Sequence, residues 1–332
     1  MKKIPYILFA IILSSCGKPS AQEEVQIPQT HTVAVRLMSF NIRYNTSSDK
    51  GDNSWAVRKE ACYSMIDDTA PDIIGLQEPR PAQAADILDA LPAYSHHVIE
   101  TSDPGVSNTV VQPSTGKQAD ADAKTGYTLI LYRTNRFTLE DSGYFWLGET
   151  PEKACLPFEA SDDEVRTCIW VKLKEKESGK SIFFFDTHAP YKNDATDNSA
   201  RRKCFALCVS KMKEIAGYDV PLAIVGDMNA SWSLNDSRRT ALEPFYQWMY
   251  AARGDGEDYG VYRGHTYSSD YYDTPRPYSF NNFGLSTPGT TWNIDHIFYR
   301  NMAPVRFRTV TDADYGVTYI SDHYPIIFDA KI

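Results

Sequence analysis

The chain has 332 residues, 42% of them hydrophobic and 13% aromatic, which marks a globular protein able to bury a large core in one big domain or two small ones. Acids outnumber bases by 43 to 34. That balance argues against nucleic-acid binding through many phosphate contacts, which needs clustered Lys and Arg, but leaves room for a local basic cleft.

The first fifteen residues differ in kind from the rest. Lys2 and Lys3 precede the apolar run IPYILFAIIL, which is too short to span a bilayer comfortably and reads as a secretory signal. It closes on LSSC, which resembles the lipobox of bacterial lipoproteins and makes Cys16 the expected lipidation site. The expected organisation is a signal over residues 1–15, a polar tether over 16–35 and a folded domain over 36–332, with no internal linker or repeat. Such a chain is expected at the bacterial cell envelope, held to a membrane by its N-terminal lipid and facing the periplasm or the outside.

From residue 36 onward, strand-like apolar runs repeatedly end on a polar or ionisable side chain. In chain order these are VRLMSFN, ending at Asn41; DIIGLQE, at Glu78; SIFFFDTH, at His188; and PLAIVGDMN, at Asp227 and Asn229. TWNIDHIF, with Asp295, and YISDHYPIIF, with Ser321, Asp322 and His323, complete the series. Between them NSWAVRKEACYSMIDDTA and NSARRKCFALCVSKMKEIAG read as helices, the second capped by Asn198 or Ser199 and closed at Gly217. Strands apolar on both faces need cover on both sides, so the expected class is α/β, a layered sandwich. The irregular stretch 101–126 is expected as a surface excursion. No CxxC occurs; Cys155 and Cys168 flank a loop and could pair in an oxidising compartment, whereas Cys204 and Cys208 are expected on one buried helix face.

An Asp or His at one strand end is ordinarily a turn or structural residue. Several such ends converging would crowd carboxylates together, raising their pKa values and destabilising the fold unless a cation sits among them. Glu78, Asp227 and Asp322, with the amides Asn41 and Asn229, offer the oxygen donors preferred by Mg²⁺ or Mn²⁺. Zinc through His188, His296 and His323 stays open, although no HxH or HExxH spacing supports it. Strand alternation sends His296 to the face opposite Asp295, which favours a structural role.

In that order, MSFNIRY, IIGLQE, DTHAPY, IVGDMNA, WNIDHIF and SDHYPI resemble the successive motifs of the endonuclease/exonuclease/phosphatase superfamily, from about residue 36 to the chain end. The resemblance implies a four-layer α/β sandwich, two face-to-face β-sheets flanked by helices, with the site at one edge. It also implies a metal-dependent hydrolase of phosphodiesters or phosphomonoesters. Residue by residue, it makes Glu78 the principal metal ligand, with Asn41 and Asp322 beside it. Asp227 would orient and help deprotonate the attacking water, Asn229 would hydrogen-bond the phosphoryl oxygens, and His188 would contact the scissile phosphate. His323, oriented by Asp295, would be the general base or acid.

The chain also departs from the broader pattern. THAPY stands where many members have THLDH, so Pro190 and Tyr191 replace residues that shape the phosphate side, and Asn293 stands where many relatives carry Arg. YSFNNFG resembles a Phe-rich motif of phosphatase-like relatives, which with Tyr191 makes Phe280 and Asn282 the expected substrate contacts. The stretch 258–292 is rich in rings (Tyr262, Tyr267, Tyr271, Tyr272, Tyr278, Phe280, Trp292), with Arg263, His265 and Arg276 among them, and could stack on a base, a sugar or an inositol. A small phosphorylated substrate is the first expectation. A nuclease or sphingomyelinase-like phosphodiesterase is the second, and a non-catalytic binding lipoprotein of the same fold the third, against which stands the full set of polar site residues.

Overall fold

The computed structural model describes residues 32–100, 102–107, 109–119, 127–161, 163–192, 194–233, 236–252, 278–287, 292–311 and 315–332. The signal, Cys16 and the tether up to residue 31 lie outside the described residues, as do Tyr262, Tyr267, Tyr271, Tyr272, Arg263, His265 and Arg276. In chain order the elements are β1 (Ala34–Asn41), α1 (Trp55–Thr69), β2 (Ile73–Gln77), α2 (Pro81–Ala90), β3 (Tyr94–Val98), β4 (Val110–Val111), β5 (Gln118–Ala119), β6 (Thr128–Arg133) and β7 (Phe137–Trp146). The second half continues with β8 (Thr167–Glu175), β9 (Ser181–His188), α3 (Ala195–Ala216), β10 (Leu222–Asp227), α4 (Glu243–Tyr246), β11 (Tyr250–Ala252), β12 (Asp295–Arg300), β13 (Ala303–Thr309) and β14 (Ile326–Lys331).

Hydrogen bonding arranges these strands in two six-stranded sheets, ordered β13-β14-β1-β2-β6-β3 and β11-β12-β10-β9-β8-β7, beside the small pair β4-β5. Each large sheet is antiparallel except at its centre, where β1 runs parallel to β2 and β9 to β10. A parallel neighbour requires a crossover, and α1 and α3 supply the two crossovers.

Alternation along the strands sorts side chains into layers. Val35 and Leu37 of β1 turn between the sheets, where they meet Ile73, Ile130, Phe184 and Val225. Met38 and Phe40 turn outward onto Cys62, Met65 and Ile66 of α1. On the other outer face Phe183 and Phe185 pack with Phe205 and Met212 of α3, and Cys204 and Cys208 lie on the same buried face. The result is a helix, sheet, sheet, helix sandwich of four layers, as expected. The sheets approach closely at Gly75, where an added Cβ would lie 2.8 Å from the Asp186 carboxyl.

Local chemistry sets the boundaries, and several differ from expectation. The second long helix starts at Ala195, ahead of Asn198 and Ser199, because Asp194 caps it: its carboxylate accepts from the Asp197 N–H at 2.8 Å. It closes at Gly217, whose φ of 70° suits glycine. The stretch expected as tether is ordered before residue 36: the Thr32 and Val33 N–H groups donate to the Ile332 carbonyl at 3.1 and 3.3 Å, and β1 begins at Ala34. Nor is 101–126 wholly a surface excursion. Val110 is buried against Trp146 and Cys155, and the buried Gln112 amide donates to the Pro157 carbonyl.

Cys155 and Cys168 do not pair. All five described cysteines are buried and none is in a disulfide, with Cys168 in the α3 layer and Cys155 in the separate cluster around Trp146.

Candidate active site

Parallel strands end on the same edge of a sheet, and an antiparallel neighbour begins there. Asn41 is therefore in register with Gln77, the residue before Glu78, while Asp227 is in register with both His188 and Asp295. The loop entering β14 folds over this edge. Ser321 Oγ donates to the Asn41 carbonyl at 2.7 Å, and the Asn281 and Asn282 N–H groups donate to the Asp322 carbonyl at 2.7 and 3.0 Å.

Two site residues leave their strands through the left-handed region, Glu78 at φ 71° and Asn229 at φ 48°. For Asn that conformation is common; for Glu it is strained, and the Glu78 N–H bond to the Tyr127 carbonyl at 2.9 Å helps hold it. Both turns aim their side chains into one cavity of about 620 Å³.

Asp227 is the hub of that cavity. Its Oδ2 lies 3.5 Å from His188 Nε2, 3.7 Å from His323 Nε2 and 3.1 Å from Asn41 Nδ2, while its Oδ1 accepts from the Asn229 N–H at 2.9 Å. Behind it, His323 Nδ1 sits 2.8 Å from Asp295 Oδ2. The same Asp295 oxygen accepts from Ser279 Oγ at 2.6 Å, and Ser279 Oγ in turn accepts the Ile294 and Asp295 N–H groups. These bonds leave Ser279 one orientation for its own proton, toward Asp295.

Burial and neighbours move the titrating groups in different directions. Burial, reinforced by Asp295, pushes Asp227 up to about 7 against the opposing pull of His323. Asp322 also rises, through burial and the charge of Glu78, against His323 and Arg43. Burial by itself would lower His323, but Asp295, Asp227 and Asp322 overturn that and raise it to about 10. His188 falls well below its ordinary value, through burial and then the Arg166 and His323 charges. Under the site, burial holds Asp186 protonated well above the carboxylate range, and Gln77 Nε2 bonds it at 2.6 Å across the two sheets.

The structure brings Glu78, His188, Tyr191, Asp227, Asn229, Phe280, Asp322 and His323 together around the cavity. The Phe280 ring stands 4.9 Å from the His323 ring. Asn41 lies behind that wall with its oxygen turned to the Arg43 N–H and its amide nitrogen bridging Glu78 and Asp227, so in this arrangement it links two carboxylates. Asn282 is not brought to the cavity: its side chain reaches Ser286 at 3.0 Å because its φ of 50° turns it outward, and only its backbone supports Asp322. His296 points to the other face, bonded to the Ala230 carbonyl at 2.7 Å with its ring 5.7 Å from that of Phe298.

Sequence reading missed the cations. Arg43, Arg80, Arg166 and Arg238 all line the cavity with Tyr44 and Tyr127. Arg43 and Tyr44 stood inside the FNIRY segment, Arg80 between two prolines just past Glu78, and Arg166 at the entry to β8. Ser279 was equally visible in YSFNNFG, but nothing local announced its bond to Asp295.

The donors fit a hard divalent cation. Glu78, Asp227 and Asp322 supply carboxylate oxygens to one cavity, where burial and neighbouring carboxylates raise Asp227 and Asp322 and Arg43, 3.7 Å from Asp322, only partly offsets the crowding. Asp227, Asp295 and His323 also place ligand atoms within 4.8 Å of one another. In that trio the Asp295 oxygen facing His323 is already engaged by Ser279 and by the imidazole, so the Glu78 and Asp322 side is the better seat.

Comparison with known proteins agrees with this fold. An endonuclease/exonuclease/phosphatase from Bacteroides vulgatus is 26% identical, with a TM-score of 0.69 over 91% of this chain and 100% of that one. A mannosyl-6-phosphatase from Bacteroides thetaiotaomicron is 24% identical, with a TM-score of 0.65 over 89% and 99%. An uncharacterized protein of Acanthamoeba polyphaga mimivirus is 28% identical over 208 residues, covering 55% of this chain and only 28% of the viral protein's length. The model of the Endonuclease/Exonuclease/phosphatase family matches residues 38–323, and the chain belongs to that family of phosphoester hydrolases.

Proposed function

We propose that the protein is a divalent-metal-dependent phosphoesterase of the bacterial cell envelope, anchored through Cys16, that hydrolyses a small phosphorylated molecule by in-line attack of water. One observation carries the reading: a buried carboxylate, Asp227, faces two imidazoles at 3.5 and 3.7 Å, one of them backed by a second carboxylate, beside the oxygen donors of Glu78 and Asp322.

Glu78 and Asp322, with Asn41 adjacent, would hold Mg²⁺ or Mn²⁺, which when bound polarises the phosphoryl group and offsets its growing charge. Asp227, favoured in its carboxylate form by the protonated His323 Nε2 3.7 Å away, orients the attacking water and takes up its proton. Asp295 fixes the His323 tautomer through Nδ1. Asn229, whose Nδ2 uses one hydrogen on the Ala189 carbonyl at 3.0 Å, keeps the other for a phosphoryl oxygen, and neutral His188 is a further donor. The new water–phosphorus bond forms as the phosphorus–oxygen bond to the alcohol breaks; the departing alcohol oxygen takes a proton from solvent, and the proton held on Asp227 returns to solvent.

A concave cavity lined by arginines and by Tyr191, Phe280 and Trp292 suits a compact phosphorylated molecule, in keeping with the sugar-phosphate activity named for one structural relative. The test is phosphate or alcohol release from nitrophenyl phosphate, bis-nitrophenyl phosphate, sugar phosphates and plasmid DNA, with Mg²⁺, Mn²⁺ or EDTA, alongside His323→Ala. Metal-dependent turnover of small esters that vanishes in His323→Ala is the expected result. Turnover unaffected by EDTA, or best on DNA, would sink the proposal as stated.

A further inference from the structure

The cavity is lined by four guanidiniums, and three have carboxylate partners in the protein: Arg43 with Asp49 and Asp322, Arg166 with Glu164, and Arg238 with Asp236. Arg80 forms no ion pair among the described residues. Its guanidinium lies instead over two rings, 4.2 Å from the Tyr127 centroid and 5.1 Å from that of Tyr44, and all three side chains line the cavity.

The sequence EPRP holds this group in place. Arg80 precedes Pro81 and takes the extended conformation such a position requires, φ −68° and ψ 159°. Pro79 fixes the preceding backbone, and Pro81 opens α2. Gln83 Oε1 accepts the Arg80 N–H at 3.3 Å and the Asn45 N–H at 2.7 Å, while Gln83 Nε2 donates to the Arg43 backbone carbonyl at 3.0 Å. One buried glutamine thus ties Arg80 to the loop that carries Tyr44. With its guanidinium over two rings and in no ion pair among the described residues, Arg80 keeps N–H donors for a ligand. A preorganised, half-buried cation with no ion-pair partner among the described residues, two positions from the Glu78 carboxylate, is suited to a substrate anion.

We infer that Arg80, backed by Tyr44 and Tyr127, is a second oxyanion subsite, so that the substrate carries another phosphate or carboxylate besides the phosphoryl group that is cleaved. The inference rests on the phosphoesterase reading for where the first phosphoryl group sits. Its geometry is that of a planar fork meeting two oxygens, which selects phosphate or carboxylate over a neutral hydroxyl.

The experiment compares three ligands on one scaffold: glucose 6-phosphate, glucose 1,6-bisphosphate and 6-phosphogluconate. Phosphate release gives kcat and KM for each with the full protein, Arg80→Gln and Arg80→Lys, and calorimetry in EDTA gives affinities that need no turnover. The ligands with two anionic groups should be favoured over glucose 6-phosphate by about tenfold or more, through KM. Arg80→Gln should abolish most of that preference, and Arg80→Lys should keep part of it, since it retains charge without the fork. Dependence on Arg80 for the bisphosphate alone assigns a second phosphate; equal dependence for 6-phosphogluconate assigns any oxyanion. Equal affinity of the wild-type protein for all three ligands, or a preference that survives Arg80→Gln, overturns the inference. Absent turnover with an Arg80-dependent preference in calorimetry would reject the phosphoesterase reading and keep the subsite.

Discussion

Two histidines face the same carboxylate oxygen from different parts of the chain. His188 ends β9, a strand of one sheet, while His323 sits in the loop entering β14 of the other; their Nε2 atoms lie 3.5 and 3.7 Å from Asp227 Oδ2. Both are buried. Yet His188 is pushed well below the ordinary histidine value, and His323 up to about 10. Burial acts downward on both, so burial cannot separate them. What separates them is the second neighbour: a carboxylate 2.8 Å behind His323, and the Arg166 cation near His188. The lesson is that one floor can hold a proton carrier and a neutral donor side by side, with the assignment made by what stands behind each ring.

Removing the backing carboxylate should have the largest effect. Asp295→Asn leaves the shape intact but deprives His323 of the partner that fixes its tautomer, and kcat should fall by about 10²–10⁴, nearly as far as in His323→Ala. An Asp295→Asn protein within about twofold of wild type would show that His323 does not need its partner and would break the comparison. His188→Ala should fall by a smaller factor, roughly 10², the size expected for one lost donor to the phosphoryl group. Steady-state rates with saturating Mg²⁺ decide the order, and a larger loss for His188→Ala than for His323→Ala would invert the two roles.

The fold was legible in the sequence because periodicity and strand ends are local signals. The alternation in VRLMSFN already separates Leu37 from Met38 and Phe40, and the structure sends them to different layers. The polar residues that close SIFFFDTH and PLAIVGDMN meet because parallel pairing puts His188 opposite Asp227. What escaped depends on where side chains go after the backbone turns. Nothing local distinguishes Asn281, whose Nδ2 bonds the Ser321 carbonyl, from Asn282, which turns outward. The arginines of the cavity escaped for the same reason: Arg80 and Arg166 come from loops of different sheets, and their convergence follows from the sandwich and not from either segment. The helix start at Asp194 was hidden by a run rich in cap formers, in which geometry alone chose the first.

A pH series of thermal unfolding in EDTA sharpens the comparison through stability. A His whose folded pKa is raised contributes stability that is fully present below its unfolded value near 6.5 and is lost as pH rises through about 10. A His whose folded pKa is depressed does the opposite: below 6.5 the unfolded chain binds a proton that the native state refuses, so stability is lost as pH falls. Asp227, raised to about 7, adds its own loss as pH rises toward and through that value. The readout is therefore the difference between variant and wild type. Asp295→Asn should flatten the loss between pH 6.5 and 10, and His188→Gln the loss below 6.5, with Tm changes of about 2–4 °C for each kcal/mol of coupling. Parallel curves for wild type and both variants would mean that neither histidine titrates differently in the folded state.

The smallest effect asks whether burial or charge governs His188. Arg166 is itself buried, with its NH2 2.9 Å from a Glu164 carboxylate that is 54% exposed, so in Arg166→Gln that carboxylate can be solvated by water. It removes the second cause of the His188 depression and leaves the first, which is burial. The His188 pKa, followed through its Cε1 proton by NMR in EDTA, should therefore rise by less than the full depression and remain below 6.5. A rise to 6.5 or beyond would mean that charge alone sets both rings, and that the sandwich contributes to the pair only by bringing Arg166 and Asp295 to opposite sides of Asp227.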